Sequence, residues 1–215
     1  NQSLNSPTLV PFLVGGFRRV RGELRNSLLV FNKGEQRFSK ALDKHRVVPL
    51  GEWIPKPFGT LFGGLSAVGQ IFPGESSRLL DWIGNNVAIS ICYELTQGHA
   101  ISNAARQGAE WILAISNLDP YPQSLQNQYI IMAQLRSIES NRDLIAVSNT
   151  GPSGLVLASG EIQTLFSPFE ENIGLVKLHL NSINTLYSRW REFPLIMIFI
   201  CSLIGILNSR SLKVN

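Results

Sequence analysis

Short apolar runs, broken by glycine, proline and charge, set the rhythm of the first third of the chain. Leu9 to Phe17 (LVPFLVGGF) and Asn26 to Phe31 (NSLLVF) read as strands, with a turn at Asn32 to Glu35. Asp43 to Phe58 is punctuated by Pro and Gly and reads as an ordered loop. Leu61 to Gly74 (LFGGLSAVGQIFPG) carries no charge, yet its four glycines make it a poor helix or strand. Two readings stand for it: a loop packed on the core, or a lid or membrane-dipping arm.

The middle of the chain alternates strand and helix patterns. A turn at Gly84-Asn85-Asn86 leads into Val87 to Cys92 (VAISIC). There Val87, Ile89 and Ile91 point one way, while the small Ala88, Ser90 and Cys92 point the other. Neither face carries charge, which predicts a buried strand. Ile101, Ala104, Ala105 and Gly108 then recur at helical steps, before a second buried strand at Trp111 to Ser116. Leu125, Tyr129, Met132, Leu135 and Ile138 mark a second helix, followed by a strand at Leu144 to Asn149. Leu155 to Ala158, Ile162 to Phe166 and Gly174 to Leu178 suggest a closing meander. Strands interleaved with helices predict an α/β (α+β layered) domain over residues 1–190.

Phe193 to Leu207 (FPLIMIFICSLIGIL) is an uncharged stretch of 15 residues. As a helix it spans about 22 Å, short of a hydrocarbon core of roughly 30 Å. Arg189, Trp190 and Arg191 on one flank and Arg210 and Lys213 on the other resemble interface anchors, and snorkelling side chains lengthen an effective span. On that basis residues 193–209 are expected to form a transmembrane helix.

Composition narrows the function classes. With 44% hydrophobic and 16% charged residues, the 215-residue chain fits one folded domain. The net charge of +4 is mild, and no basic cluster with interleaved aromatics points to nucleic acid. Cys92 and Cys201 cannot build a disulfide framework. His45, His99 and His179 share no ligand spacing with each other or with the cysteines, so no metal site and no cofactor is expected. The opening NQSLNSPTLVPFLVGGF has neither a basic n-region nor a cleavage pattern, and reads like the interior of a longer chain.

Cys92 carries the candidate chemistry. It ends a buried strand and precedes Tyr93-Glu94 and a helix, a context in which a strand-to-helix turn can present a nucleophile beside backbone N–H groups. A helix N-terminus favours the thiolate. Taken alone, a cysteine in an apolar strand is more often a small hydrophobe. A Cys–His dyad with His99 or His45 finds no support in their spacing.

Leu42 to Pro55 (LDKHRVVPLGEWIP), together with Ile91 to Glu94 (ICYE), resembles the carbon–nitrogen hydrolase (nitrilase) superfamily. More narrowly it is similar to the apolipoprotein N-acyltransferase branch. Ile115 to Asn117 (ISN), Met132 to Arg142 (MAQLRSIESNR), Ser148 to Gly151 (SNTG) and Gly160 to Gln163 (GEIQ) add to the match, which runs from about Leu9 to the end. The resemblance implies a partial α-β-β-α sandwich. It makes Cys92 the nucleophile, Lys44 the oxyanion-stabilising cation and Glu52 an accessory acid, with Tyr93 and Glu94 building the site. A fixed ammonium and a backbone N–H beside a thiolate suit a tetrahedral oxyanion in a water-poor site. A carboxylate at Glu52 keeps such a lysine charged and oriented.

The implied reaction takes an acyl chain from a phospholipid onto Cys92 and passes it to the amino group of a diacylglyceryl-cysteine at a lipoprotein N-terminus. The implied location is the periplasmic face of the bacterial inner membrane. The superfamily's base glutamate, in a P-E-T-type motif on an early strand, is absent from this sequence, as are that domain's first strand and helix. The chain on its own is therefore expected to be weak or inactive, and a separate chain supplying the missing half is an implied partner. Two alternatives stand beside this reading: an amidase for small soluble amides, and a non-catalytic membrane-anchored remnant.

Overall fold

The computed structural model describes residues 4–53 and 70–211. Two sheets face each other across an apolar interior. The smaller has three antiparallel strands in the order β1 (Phe12–Val20), β2 (Glu23–Phe31) and β3 (Lys40–Asp43). The larger has six strands in sequence order: β4 (Leu79–Trp82), β5 (Asn85–Ile91), β6 (Trp111–Ser116), β7 (Leu144–Ser148), β8 (Ser153–Val156) and β9 (Ile162–Phe166). The pairs β5–β6 and β6–β7 are parallel, and the others are antiparallel.

Helices supply the crossovers between the parallel strands. Helix α1 (Gly98–Arg106) links β5 to β6, and α2 (Gln123–Ser140) links β6 to β7. Asn141 ends α2 in the left-handed conformation (φ 55), a position that asparagine tolerates better than most residues.

Period-two alternation decides which layer each strand residue serves. Val87, Ile89 and Ile91 meet Leu28 and Val30 of β2 between the sheets. Ala88, Ile112, Ala114, Leu144 and Ala146 meet Ile101, Ala104, Tyr129, Ile130 and Ala133 of the two helices. The result is an α-β-β arrangement among the described residues, in keeping with the expected partial sandwich. Each large apolar side chain wholly withdrawn from water, such as Leu28 or Ile89, contributes about 1.5–3 kcal/mol.

The structure revises several sequence readings. The β1–β2 hairpin turns at Arg21 (φ 52) and Gly22 (φ 88), a two-residue loop whose left-handed backbone matches strand twist. The turn read at Asn32 to Glu35 lies between strands as expected, and leads towards β3, a strand that the sequence reading did not include. A similar two-residue turn at Ile83 (φ 55) and Gly84 (φ 75) leaves Asn85 and Asn86 within β5. Gly174 to Leu178 joins no sheet. The helical stripe read from Leu125 to Ile138 is only half correct, since Tyr129 is buried while Leu125, Leu135 and Ile138 are exposed. The buried face of α2 carries Gln126, Arg136, Ser137 and Ser140 as well; Gln126 donates to the loop carbonyls of Leu118 and Tyr121, and Arg136 pairs with Glu139. Most of the uncharged loop Leu61 to Gly74 lies outside the described residues, as do residues 54–58.

The expected transmembrane helix is not supported. Residues beyond the short helix α3 (Leu186–Trp190) form α4 (Phe193–Ser211). Yet among the described residues no helix is long and apolar enough to cross a membrane. The reason is length: the uncharged run covers about 22 Å before Asn208 and Arg210 interrupt it. The side chains from Phe193 to Ile206 are nonetheless exposed.

Candidate active site

The end of β5 places Cys92. Strict alternation would turn it towards the helices with Ala88 and Ser90, as the sequence reading had it. Instead Cys92 has a left-handed backbone (φ 53), and its side chain packs with the inter-sheet core beside Ile91 and Ile115. Such a conformation costs a non-glycine residue about 1–2 kcal/mol. A 3-10 turn (Cys92–Thr96) follows directly, so the expected strand-to-helix presentation is realised by a tight turn, with α1 starting only at Gly98.

Lys44 arrives from the opposite sheet. It follows β3, and its backbone N–H donates to the Asn26 carbonyl at 2.7 Å. Asp43 braces this junction by accepting from Arg18 (2.7 and 2.8 Å), Ser27 (2.7 Å) and Arg25 (3.2 Å). The Lys44 side chain is fully buried, and its Nζ donates to both carboxylate oxygens of Glu52 at 2.8 and 2.6 Å. A buried ammonium without a counter-charge is strongly disfavoured, and Glu52 supplies that counter-charge to Lys44. Glu52 is fixed in turn by the Val48 N–H at 2.8 Å.

These charges reach the sulfur. Burial pushes the Cys92 thiol above its ordinary value, and the Lys44 ammonium and the Tyr93 backbone N–H pull it back only in part. Glu52 and Glu94 add to the upward push. Both carboxylates whose fields act on the sulfur are committed to cations, Glu52 to Lys44 and Glu94 to Arg78.

Glu94 lies in the interior. Its Oε1 accepts from the His45 and Arg46 backbone N–H groups at 2.6 and 3.2 Å, and its Oε2 accepts from Ile91 N–H at 2.8 Å. Glu94 therefore clamps the Cys92 turn to the Lys44 segment. Tyr93 is half-buried, with the Arg46 guanidinium 5.0 Å above its ring, a cation–π contact.

Cys92 opens on a cleft of about 840 Å³ between the sheets. Its walls are largely apolar: Phe12, Val14 and Phe17 of β1, Ile115 of β6, and Ile145 and Val147 of β7. A polar rim stands where β6 and β7 end, since Asn117 and Asn149 lie one residue beyond the paired Ser116 and Ser148. Asn149 Nδ2 donates to Asn117 Oδ1 at 2.8 Å, and Asn149 Oδ1 accepts from Leu118 N–H at 2.9 Å.

A cysteine at the end of a parallel strand, a buried lysine–glutamate pair and a cleft between two facing sheets make a recognisable combination. Residues 8–187 match the carbon–nitrogen hydrolase family. The chain belongs to the carbon–nitrogen hydrolase family.

Relatives refine that placement. The chain is 53% identical over 204 residues to a protein of Prochlorococcus marinus (strain MIT 9313) named apolipoprotein N-acyltransferase, covering 95% of this chain and 41% of that protein. A second protein of that name, from another strain of Prochlorococcus marinus, is 52% identical over 91% of this chain and 40% of its own length. The chain thus spans about two fifths of these relatives. Among solved structures, a carbon–nitrogen hydrolase from Helicobacter pylori G27 superposes with a TM-score of 0.57 at 21% identity, covering 76% of this chain and 60% of that one. At that identity the likeness concerns the fold.

Several residues of this carbon–nitrogen hydrolase site escaped sequence reasoning. Arg78 lies in unremarkable local sequence, Asp43 sits in the matched Leu42 to Pro55 stretch without an assigned role, and only the fold shows both buried beside the Lys44 segment. Asn117 and Asn149 sit in matched motifs but had no assigned role. Their signal was available, because the carboxyl ends of parallel strands are where open α/β sheets bind ligands. Tyr121 also lies within the electrostatic reach of Cys92 and Glu52, and burial first, then their negative charge, raises its hydroxyl pKa.

Proposed function

We propose that this chain carries the nucleophile half of a lipoprotein N-acyltransferase. The observation that carries the reading is the fully buried Lys44 ammonium, held by Glu52 at 2.6 Å, acting on Cys92 at the mouth of an apolar cleft. In this reading Cys92 is the nucleophile, Lys44 the oxyanion partner and Glu52 the acid that orients it. Tyr93 contributes a backbone N–H, and Glu94 positions the turn.

The chemistry runs in two halves. The Cys92 thiolate attacks the carbonyl carbon of a phospholipid ester, and the negative charge gathers on the carbonyl oxygen. Lys44 and the Tyr93 N–H stabilise that charge best in a dry site, where electrostatic interactions are strong. The acyl–oxygen bond breaks, and the lysophospholipid leaves as an alcohol carrying the proton from the thiol. The amino group of a diacylglyceryl-cysteine then attacks the thioester, forming an amide and returning the thiol. The apolar walls suit an acyl chain, and excluding water favours the amine over hydrolysis. These substrates locate the reaction at the bacterial inner membrane, on its periplasmic face.

The raised thiol explains why the chain alone should be a poor catalyst. Glu52 and Glu94 are already engaged by Lys44 and Arg78, so neither is poised to take the thiol proton. The base comes from polypeptide that the longer relatives possess and this chain does not span.

Intact-mass measurement of purified chain after incubation with phospholipid vesicles tests this reading. Little or no acyl adduct is expected on Cys92 from the chain alone. A thioester should accumulate when the remainder of the Prochlorococcus marinus MIT 9313 relative is co-expressed, and Cys92→Ala should abolish it. Robust acylation by the chain alone would overturn the need for an external base. Absence of the adduct in the complemented pair, with hydrolysis of small amides in its place, would favour an amidase.

A further inference from the structure

Helix α4 leaves the domain through a single corner. Arg191, between α3 and α4, has φ 51 and ψ −132, a backbone conformation that a residue with a side chain adopts only when its surroundings hold it there. Two of the bonds that hold it reach across to α1. Its Nη2 donates to Asn103 Oδ1 and its Nη1 donates to His99 Nδ1 at 3.1 Å. The Arg191 backbone N–H adds a bond to the Tyr187 carbonyl at 2.7 Å.

These bonds fix where the histidine carries its proton. A guanidinium only donates, so His99 Nδ1 accepts and bears no hydrogen. The imidazole hydrogen therefore sits on Nε2, aimed at Glu192 Oε2 at 2.7 Å. In this arrangement His99 is neutral and joins a cation on one side to an anion on the other. With 44% of its side chain exposed, it takes protons directly from water. A second proton can go only to Nδ1, where it meets the Arg191 N–H donor against donor and cation against cation. Glu192 binds the imidazolium more strongly than the neutral ring, so the group that leaves is Arg191.

We propose that His99 is a proton-operated latch on the corner between α3 and α4. Neutral, it holds Arg191 and fixes the angle of α4; protonated, it releases Arg191 and lets α4 swing. The charges around it favour release. From α1, Arg106 donates to the same Asn103 Oδ1 at 2.6 Å. From α2 come Arg136 and Glu139, paired at 3.0 Å. From α3, the Tyr187 hydroxyl donates to Glu192 Oε1 at 2.9 Å, while Arg189 is exposed. Helix α4 adds no charge before Arg210. Arg106, Arg136 and Arg191 thus stand against Glu139 and Glu192, and a charge on His99 adds a cation where cations already outnumber anions. Arg191 is then left sharing one neutral oxygen with another guanidinium, and its positive φ is free to relax. Turning that φ re-aims the whole of α4. The inference does not depend on the chemistry proposed for Cys92, although α1, which carries the latch, follows the turn bearing that residue.

The distance between two nitroxide labels, measured by pulsed electron paramagnetic resonance on the chain in detergent micelles, reads the angle. One label goes on Cys201, exposed on α4, and the other on Gln107→Cys at the exposed end of α1, in a Cys92→Ser background. Cys201 lies about 15 Å along the helix from Arg191, so a tilt of about 20° moves it about 5 Å. The distribution should be narrow at pH 8 and should shift or broaden by about that much at pH 5, across the interval in which histidines change charge. His99→Gln, which does not titrate, should abolish the response to pH. Arg191→Gln should give the broad distribution already at pH 8. Circular dichroism checks that each variant is folded. A wild-type distribution that is the same at both pH values would overturn the proposal, as would a narrow distribution for R191Q at pH 8. A response that survives in H99Q would also overturn it and move the proton to Glu139, whose carboxyl is raised by burial first, with Arg136 offsetting this only in part. None of these readouts uses catalysis, so the latch can fail while the acyl-transfer reading holds, and the reverse.

Discussion

Arg78 and Glu94 meet at 3.0 Å in the protein interior, with 2% and 4% of their side chains exposed. Through this pair the turn bearing Cys92 is tied to the segment bearing Lys44, since Arg78 Nη2 also donates to the Asp43 carbonyl at 2.9 Å. Glu94→Gln keeps the shape but leaves a buried guanidinium without its counter-charge. Removing one partner of such a pair typically costs about 3–5 kcal/mol. Urea denaturation should show a loss of that order, and a double Arg78→Met, Glu94→Met variant should lose less than the two single changes added together. Strict additivity would mean the two groups are not coupled.

The sulfur of Cys92 should be slow to alkylate at neutral pH. Burial raises its pKa first, and Lys44 offsets this only in part. The pH profile of iodoacetamide labelling at Cys92, read by peptide mass spectrometry, should therefore rise at higher pH than for an ordinary cysteine. Lys44→Met removes a cation that favours the thiolate, so it should move the profile further up. A Lys44→Met profile that coincides with wild type would exclude the lysine as an electrostatic partner of the thiol.

The members of the proposed site could be picked out in the sequence because they sit in local motifs: Lys44 and Glu52 eight residues apart in one loop, Cys92 at the end of an uncharged strand. Layering was legible too, through the alternation of Val87, Ile89 and Ile91 with Ala88 and Ser90. What local pattern could not supply was long-range geometry. The turn of Cys92 into the cleft depends on a positive φ that alternation does not encode. The burial of Arg78 depends on Glu94 and on the Asp43 carbonyl, both distant in the chain. The exposed apolar residues of α2, Leu135 and Ile138, made a helical stripe look like core, when the buried face is half polar. In the terminal helix, apolarity dominated the sequence reading and length decided against it.

Acid should loosen the Lys44 junction through Asp43. Burial by itself would raise the Asp43 pKa, but hydrogen bonds from Arg18 and Ser27, with the Arg18 charge and Arg25, more than offset it, and the net direction is down. A folded-state pKa below the unfolded one stabilises the fold at pH values above the unfolded pKa. That contribution is lost as pH falls through the folded value. Thermal midpoints should therefore drop below the ordinary carboxylate range, near about pH 4 and under. Asp43→Asn should lower stability at neutral pH and flatten this acid limb. An acid limb unchanged in the Asn variant would place the titrating group elsewhere.

A polar cluster fastens the base of the exposed apolar helix, and Gly98 is its tightest point. His99 Nε2 lies 2.7 Å from Glu192 Oε2, Tyr187 donates to Glu192 Oε1 at 2.9 Å, and Arg191 bonds Asn103. Burial first, then the bond to Glu192, pushes the Tyr187 hydroxyl up to about 12, so it stays protonated and able to donate. A Cβ at residue 98 would overlap the Arg136 guanidinium and sit 2.7 Å from Glu139 Oε2 and 3.1 Å from the Tyr187 hydroxyl. Gly98→Ala should therefore force these groups apart, at a cost of about 1–3 kcal/mol by comparison with overpacked cores. Gly205→Ala within α4 makes a matched control. Nothing lies within 4 Å of its Cβ, and alanine favours the helix by roughly 0.5–1 kcal/mol. Limited proteolysis should cut the G98A chain faster near residues 186–192, while G205A should be cut no faster than wild type. Equal rates at that corner for both variants would mean the cluster does not hold the helix in place.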